Sequence, residues 1–569
     1  MNPRTRLMKI TRPRALVMIR ILSAMVLGLA VLPTRSAAGS TSLAGSKPNI
    51  IFIFSDDHAA QAMGAYGSRF GADVTPRLDR MAKDGATFEN TICGNPICGP
   101  SRATLLTGKF SHANRFFSNE YSPGFDGSQS TLPKLMREAG YATALIGKWH
   151  LASTPVGFDH FEILPGHGSY YNPVLVTDKG PQKYPGGYVT NVITERALNW
   201  LKKDRDPQKP FVLMVHHKSP HRNWVPGPEE MNLFRGRIWP EPNNLRDNYA
   251  DRSPVLADAR MRISDHLYFD NDLLVATGKP EFMGGSLGEL LKGMPEPARE
   301  KFLEVYAKEN ANFLQNPPAG DALLRWKYQR YLTDYLRCVA GVDRSVGQIL
   351  DELKAANLAE NTLVIYSSDQ GFFLGEHGWY DKRFAYEESA RMPFLLSWPG
   401  KVAAGTRIPA LTQNTDFLPT FLDLAGLPVP PEVHGVSLVP LLEGAQTELR
   451  DATYTHFYED TGEHHAAAYV AIRTKTHKLI HYYDRGFTEL FDLVKDPSEM
   501  RSVAEVASYQ PLRQAMEKRL AELADQFGDK TAPWGDDVGG AVPEKSRVSP
   551  QSKAPQPAFP VTRSSPSEP

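Results

Sequence analysis

The sequence predicts a doubly wound α/β domain on a mostly parallel sheet, followed by a small antiparallel-sheet-plus-helix subdomain. Three observations carry this. Near-continuous apolar, β-rich runs stop abruptly at polar residues. Helical stretches lie between them, and short strands appear only near the C-terminus. The first run, Asn49–Phe54, stops at Ser55-Asp56-Asp57-His58. Thr75–Asp84 and Leu132–Ala139 read as helices before the second run, Tyr141–Ile146, which stops at Gly147-Lys148-Trp149-His150. Val189–Lys203 is helical and leads to Phe211–Val215, which stops at His216-His217-Lys218-Ser219-Pro220-His221. Residues 226–330 are rich in Pro, Asn and charge and read as a partly helical insertion over the rim. The helix Leu324–Asn357 precedes Thr362–Tyr366, which stops at Ser367-Ser368-Asp369-Gln370-Gly371. Met392–Ser397 adds a strand, and Asp416–Gly426 a closing helix. Short strands then follow at Thr453–Tyr458, Ala467–Thr474, His477–Tyr483 and Thr488–Asp492, with a helix at Gln510–Phe527.

In an open α/β sheet, ligands sit outside the carboxyl ends of the strands. Asp56, Lys148, His221 and Asp369 are therefore expected on one rim. The implied domains are a linker at 39–47, a catalytic domain at 48–445, a subdomain at 446–527 and a disordered tail at 528–569, which is Pro/Ser-rich without apolar period.

Composition bounds the function. With 41% hydrophobic and 22% charged residues among 569, the chain can build a sizeable core, and global disorder is excluded. The 44 Gly and 45 Pro follow no period, which excludes collagen-like and solenoid readings. Lys+Arg and Asp+Glu balance at 64 each, so nothing suggests nucleic acid. Residues 1–38 nonetheless hold seven basic residues and no acidic one, leaving −7 on the remainder. That segment reads as a signal peptide: a basic stretch, the apolar run Ile21–Leu32, then Ser36-Ala37-Ala38 before a cut after Ala38. Met18 is an alternative start. The run is too short to span a bilayer, and no cysteine follows it to carry a lipid. The expectation is export to the periplasm or medium. Cys93, Cys98 and Cys338 are too few for a disulfide framework, although a Cys93–Cys338 pair is open.

Asp56, Asp57 and Asp369, with the Gln370 amide, are oxygen donors that would repel unless a hard cation sat among them. Oxygen-only ligation favours Ca²⁺ or Mg²⁺ over zinc. His216, His217 and His221 do not make a zinc pair, because Pro220 breaks the helix such spacing needs.

Cys98-Gly99-Pro100-Ser101-Arg102-Ala103-Thr104-Leu105-Leu106-Thr107-Gly108 matches the Cys-x-Pro-Ser-Arg-x-x-x-Leu-Thr-Gly signature of the type I, formylglycine-dependent sulfatases. The resemblance covers about residues 48–527 and includes Asp56-Asp57, Gly147–His150, Ser219–His221, Asp369–Gly371 and Asp381-Lys382-Arg383. It implies an alkaline-phosphatase-like fold and conversion of Cys98 to formylglycine by a separate maturation enzyme. It also implies Ca²⁺ (ahead of Mg²⁺) held by Asp56, Asp57, Asp369, Gln370 and the modified Cys98. A hydrated aldehyde supplies one hydroxyl to attack sulfur and another to expel sulfate. Lys148 and Lys382 offset charge on the sulfuryl oxygens. By the same resemblance, Arg102 and His150 hold the formylglycine, and His221 protonates the leaving oxygen. Gln370 stands where many relatives have Asn or His, and Lys109 where Arg is frequent.

His217–Trp224 and Gly375–Ser389 resemble bacterial sulfatases of the N-acetylglucosamine-6-sulfatase and mucin-desulfating type. Arg222, Trp224, His377 and Trp379 are then expected to line an aromatic, polar sugar pocket. The substrate so implied is a sulfated carbohydrate, with N-acetylglucosamine 6-sulfate or another sulfated sugar as alternatives. Two rivals remain at this level: a phosphonate or phosphate ester hydrolase on the same scaffold, and a silent glycan-binding protein.

Overall fold

In the computed structural model, residues 42–119, 124–278, 287–460 and 462–531 are described. The expected export segment 1–38 lies outside them, as does the tail from 532 onward. The strands are β1 (Asn49–Ser55), β2 (Ala86–Ile92), β3 (Ala142–Lys148), β4 (His160–Leu164), β5 (Val174–Thr177), β6 (Gly180–Lys183), β7 (Phe211–His216), β8 (Thr362–Ser368), β9 (Phe373–Leu374), β10 (Tyr380–Asp381), β11 (Arg391–Ser397), β12 (Thr406–Gln413), β13 (Ala452–Phe457), β14 (Tyr469–Thr474), β15 (His477–Tyr482) and β16 (Phe487–Asp492). Ten of them form one sheet in the order β12-β2-β11-β8-β1-β7-β3-β4-β5-β6.

The central strands β8, β1, β7, β3 and β4 are all parallel. Their apolar runs are continuous because both faces are covered. Ile51 and Ile53 face one core with Leu332, Val339 and Val346 of the Gly320–Ala355 helix. Ile50, Phe52 and Phe54 face the other, with Leu105 of the Cys98–Thr107 helix and Phe417 and Phe421 of the Phe417–Ala425 helix. The register levels the carboxyl ends: Phe54 lies beside His216, Ser55 beside Ser368, and Gly147 beside His216.

The edges are mixed. β11 runs antiparallel to both β8 and β2, and β4-β5-β6 is an antiparallel meander. Sequence pattern does not reveal β2, which carries Glu89 and Asn90, or β12, whose Pro409 is tolerated because β12 lies at the sheet edge. The C-terminal sheet, β13-β14-β15-β16, packs Tyr454, Val470, Ile472 and Leu479 on Leu520 and Leu523 of the Gln510–Phe527 helix. Its other face packs Phe457, Tyr469 and Tyr482 on Trp379, Phe384 and Tyr386.

Two boundary expectations are corrected. Leu43, placed in the linker, is buried, and its N–H donates to Glu443 at 2.6 Å. The tail does not begin at 528. Asp529 is buried and accepts from Tyr454 Oη at 2.7 Å, with His456 Nδ1 at 2.7 Å and His112 Nδ1 at 3.2 Å. The three cysteines are free and buried, so Cys93 and Cys338 do not pair.

Asp529 ties the segment after the Gln510–Phe527 helix to the C-terminal sheet through a buried, hydrogen-bonded charge. Its removal leaves the His456 and Tyr454 donors without an acceptor. Asp529→Ala is expected to cost about 3–5 kcal/mol, read as a lowered urea midpoint, with Asp529→Asn intermediate. An unchanged midpoint in Asp529→Ala would show that the carboxylate holds nothing.

Candidate active site

The levelled strand ends deliver polar groups to one place. β1 presents Asp56 and Asp57, β8 presents Asp369 and Gln370, β3 ends at Lys148, and the turn after β7 brings His221. The Asp57 N–H donates to Asp369 Oδ1 at 3.1 Å, which locks the first two ends together. Cys98 enters at the start of its helix, preceded by extended Ile97. Gly99 is closely packed there: a Cβ would lie 2.5 Å from the Phe116 ring and 2.8 Å from Asn119 Oδ1, so a larger residue requires those side chains to shift. Three residues on, Arg102 is fully enclosed. Its Nε and Nη2 donate to Asp369 Oδ2 at 3.2 and 2.9 Å, and Nη1 donates to the Lys148 carbonyl at 2.9 Å. One guanidinium thus joins the Cys98 helix, β8 and β3.

Ligand atoms of Asp56, Cys98 and Asp369 lie within 4.8 Å of one another, all buried. Lys148 Nζ donates to Asp56 Oδ2. Lys382 Nζ donates to both Asp57 oxygens, at 2.7 and 2.8 Å. The Gln370 amide donates to Asp57 Oδ1, leaving Gln370 Oε1 buried without a hydrogen bond; Asp56 Oδ1 also lacks one, although Arg102 Nη2 lies 3.9 Å from it. Buried acceptors in this condition are rare and call for a cation or donor.

The carboxylates differ in charge preference. Burial opposes ionisation of Asp56, but Lys148, His221 and Arg102 outweigh it and hold its pKa well below the usual range. Burial, with Asp56 and Asp369 nearby, pushes Asp57 to about 8 despite Lys382. Burial and Asp56 push Asp369 to about 6 against Arg102. The Cys98 thiol is raised well above its ordinary value by burial and by Asp56.

Asp56, Asp57, Cys98, Arg102, Lys148, His221, Asp369, Gln370 and Lys382 are thus brought together. His150 stands at their edge, with its ring centroid 4.0 Å from that of His167. The expected sugar pocket is corrected. Trp224, His377 and Trp379 are each 0% exposed. Trp224 packs on Tyr331, 4.5 Å between centroids, and Trp379 stacks on Phe384 and Tyr249. Trp224 is enclosed in the core beside Tyr331 and Leu332 of the Gly320–Ala355 helix. For Trp379 the physical reason is the β9–β10 hairpin, which is covered by the insertion, where Tyr380 N–H donates to the Met261 carbonyl, and by the C-terminal sheet. His377 Nδ1 is held by Asp247 at 2.9 Å. Arg222 does reach the rim, but its guanidinium is committed to Asp272 at 2.7 and 2.8 Å and to Glu463 at 3.1 Å.

Other polar groups converge that sequence reasoning did not select. His167 accepts from Lys148 at 3.2 Å. Asp381 and Arg383 flank Lys382 and pair with each other, while His464 and Glu459 close on them at 3.3 and 3.5 Å. Asp381 and Arg383 were within reach as neighbours of Lys382. His167, Glu459, Glu463 and His464 sit in loops whose local pattern carries no signal.

The sulfatase family model matches residues 48–427, and that of the N-sulphoglucosamine sulphohydrolase C-terminal region matches residues 375–526. The chain belongs to the sulfatase family. It is an enzyme of sulfate-ester hydrolysis, with the alkaline-phosphatase-like fold expected of that family. This sulfatase is 42% identical over 517 residues to the N-acetylglucosamine-6-O-sulfatase of Bacteroides thetaiotaomicron, covering 89% of this chain and 91% of the relative. It is 28% identical to an ulvan-active sulfatase of Formosa agariphila, over 85% and 83% of the two chains. A solved protein in complex with its substrate, D-glucosamine-2-N,6-O-disulfate, superposes with a TM-score of 0.81 at 42% identity, over 85% of this chain and 99% of that one. A phosphonate monoester hydrolase of Agrobacterium radiobacter shares the fold alone, with a TM-score of 0.61 at 22% identity over 84% and 96% of the chains.

Two outcomes follow for the sulfatase. Trp224→Ala should destabilise it by about 3–5 kcal/mol, whereas Trp224→Phe keeps KM within about twofold, since the ring packs rather than stacks sugar. A large KM rise in a stably folded Trp224→Phe would restore the pocket reading. If Asp56, Asp57 and Asp369 hold a divalent cation, its binding competes with protons on Asp57 and Asp369, whose pKa values burial raises to about 8 and about 6. Calorimetry on metal-stripped protein should therefore show cation affinity rising from pH 6 to pH 8, with proton release. Affinity flat across that window contradicts the assignment.

Proposed function

We propose that this sulfatase is an exported carbohydrate sulfatase that removes the 6-O-sulfate of N-acetylglucosamine or a related glucosamine unit. The observation that carries the reading is the near-full-length likeness to a protein bound to a 6-O-sulfated glucosamine. The export signal rests on the sequence. Among the described residues, no helix is long and apolar enough to cross a membrane.

The residues fit a hard divalent cation. Asp56, Asp57 and Asp369 present carboxylate oxygens, and Asp56 Oδ1 and Gln370 Oε1, buried without a hydrogen-bond donor, supply further acceptors. An irregular set of oxygens suits Ca²⁺, which tolerates variable geometry, better than Mg²⁺. When bound, the cation polarises the sulfuryl oxygens and the attacking hydroxyl.

Cys98 supports the formylglycine reading on physical grounds. A thiol whose pKa is raised well above its ordinary value is protonated at neutral pH and a poor nucleophile. Converted to formylglycine by a maturation enzyme, the position would carry the paired hydroxyls that attack and release require. The neighbouring residues then have separable tasks. Arg102 keeps Asp369 and the strand ends in register around the nucleophile. The Lys148 and Lys382 ammonium groups flank the same space and neutralise charge growing on the sulfuryl oxygens. His150 and His221 border the entrance, and the Arg222 carbonyl lies 2.6 Å from His221 Nδ1, which donates to it and fixes the ring.

The test is sulfate release, by ion chromatography, from N-acetylglucosamine 6-sulfate and other defined sulfated sugars, with a phosphonate monoester in parallel. The 6-sulfate is expected to be the best substrate and the phosphonate a poor one. In active protein, the Cys98 peptide should be lighter by about 18 Da, or nearly unchanged as the hydrate, and resist thiol alkylation. Cys98→Ala should lose turnover while remaining folded, and Cys98→Ser should stop after one event, lacking the second hydroxyl. Full specific activity with an unmodified Cys98 thiol refutes the mechanism.

A further inference from the structure

His167 belongs to no recognised motif of the sequence, yet it stands at the centre of the rim. It is carried by a Gly166-His167-Gly168 turn after β4, in which both glycines adopt positive φ, +56° and +68°. A Cβ on Gly168 would lie 2.9 Å from the Leu164 side chain. The turn is therefore tight, and it aims the imidazole back at the strand ends. The ring is layered between His150 and His221, with centroids 4.0 and 4.6 Å away. Its ligand atom lies within 4.8 Å of those of Asp56 and His221. Asp56, Cys98 and Lys148 are each 0% exposed, whereas His167 is solvent-exposed. It thus lies on the open side of the sulfuryl site, where the alcohol half of an ester must project.

Its hydrogen bond fixes which nitrogen faces that half. Lys148 Nζ is 3.2 Å from His167 Nδ1, and an ammonium has only donors, so Nδ1 accepts. In the neutral ring the proton then sits on Nε2. His221 is held differently: its Nδ1 donates to the Arg222 carbonyl, and its Nε2 lies 3.8 Å from Asp57 Oδ2, facing the buried carboxylates.

We infer that His167 is a catalytic residue of the sulfatase, its Nε2–H donating a hydrogen bond to the ester oxygen that the sulfate leaves behind. The inference rests on the proposed sugar-ester substrate. As the S–O bond breaks, its electron pair stays on the sugar oxygen. His167 keeps its proton and stabilises that charge as a hydrogen-bond donor. Water at the open mouth supplies the proton that completes the hydroxyl, leaving hydroxide in solution. A donor of this kind matters most when the leaving oxygen is basic, and its loss typically lowers kcat by about 10²–10³.

The experiment compares wild type, His167→Ala and His167→Gln on N-acetylglucosamine 6-sulfate and on a series of aryl sulfates of graded leaving-group basicity. Metal content is measured for each sample. In His167→Ala, kcat on the sugar ester should fall about 100-fold, while 4-nitrophenyl sulfate, with its weakly basic phenolate, loses less than about tenfold. The dependence of rate on leaving-group pKa should steepen. His167→Gln, whose amide can accept from Lys148 and donate outward, should recover about tenfold on the sugar ester. Metal content should not change. Equal losses on all esters, a change confined to KM, or loss of metal in His167→Ala each overturn the inference. Should the wild type cleave aryl sulfates but no sugar sulfate, the substrate reading falls, and the aryl series alone still decides the role of His167.

Discussion

Three carboxylates, Asp56, Asp57 and Asp369, are fully buried at the ends of two adjacent parallel strands, and the surrounding structure is organised around their mutual repulsion. An isolated buried charge costs several kcal/mol, about as much as a small domain's whole stability margin. Here each acid has a designated partner: Lys148 for Asp56, Lys382 for Asp57 and Arg102 for Asp369. Those partners come from β3, from the segment after β10, and from the Cys98 helix. The electrostatic requirement therefore also assembles the rim. It leaves an uneven result, with Asp56 held ionised while Asp57 and Asp369 retain protons easily. A group of buried oxygens in this state suits the divalent cation proposed for it.

The sheet makes this arrangement reachable. Parallel neighbours in level register bring their carboxyl ends to the same height, so residues some 300 positions apart in sequence, such as Ser55 and Ser368, lie side by side. Arg102 then converts proximity into rigidity, because its fork spans the helix and two strand ends at once. Arg-carboxylate forks are directional as well as strong. A lysine at 102 could neutralise Asp369 but could not simultaneously hold the Lys148 carbonyl in the same plane.

The central fold was legible in sequence because its strands are covered on both faces and so carry continuous apolar runs: Asn49–Ser55 and Phe211–His216 are buried at every position. β2 and β12 were not, since they lie near the sheet edge and carry polar residues and a proline. The same contrast divides the site. Residues at strand ends, such as Asp56, Lys148 and Asp369, were legible because topology alone brings strand ends together. His167, Glu463 and His464 were not, because loop positions are fixed by contacts that leave no periodic trace. The aromatics misled for a related reason. Trp224 and Trp379 stand beside polar motif residues in sequence, but tertiary packing from the insertion and the C-terminal sheet encloses them.

That enclosure bears on how such an enzyme chooses a substrate. The β9–β10 hairpin has two sides with different duties: Trp379 is a core residue shared by three segments, while Lys382, just beyond β10, faces the buried carboxylates. Any movement of the hairpin would therefore shift a group proposed to contact sulfate. Packing Trp379 tightly is a means of fixing Lys382, since close-packed cores resist displacement. Variation in sugar preference must then come from elsewhere on the rim, where change does not disturb that core. The polar groups Arg383, Glu459, Glu463 and His464 converge beside Lys382 through ion pairs, and the last three belong to the C-terminal subdomain rather than the sheet. Arg383 and His464 both pair with Asp381, whose carboxylate bears on Asp57 and Lys382, so the C-terminal subdomain is tied electrostatically to the strand ends rather than independent of them.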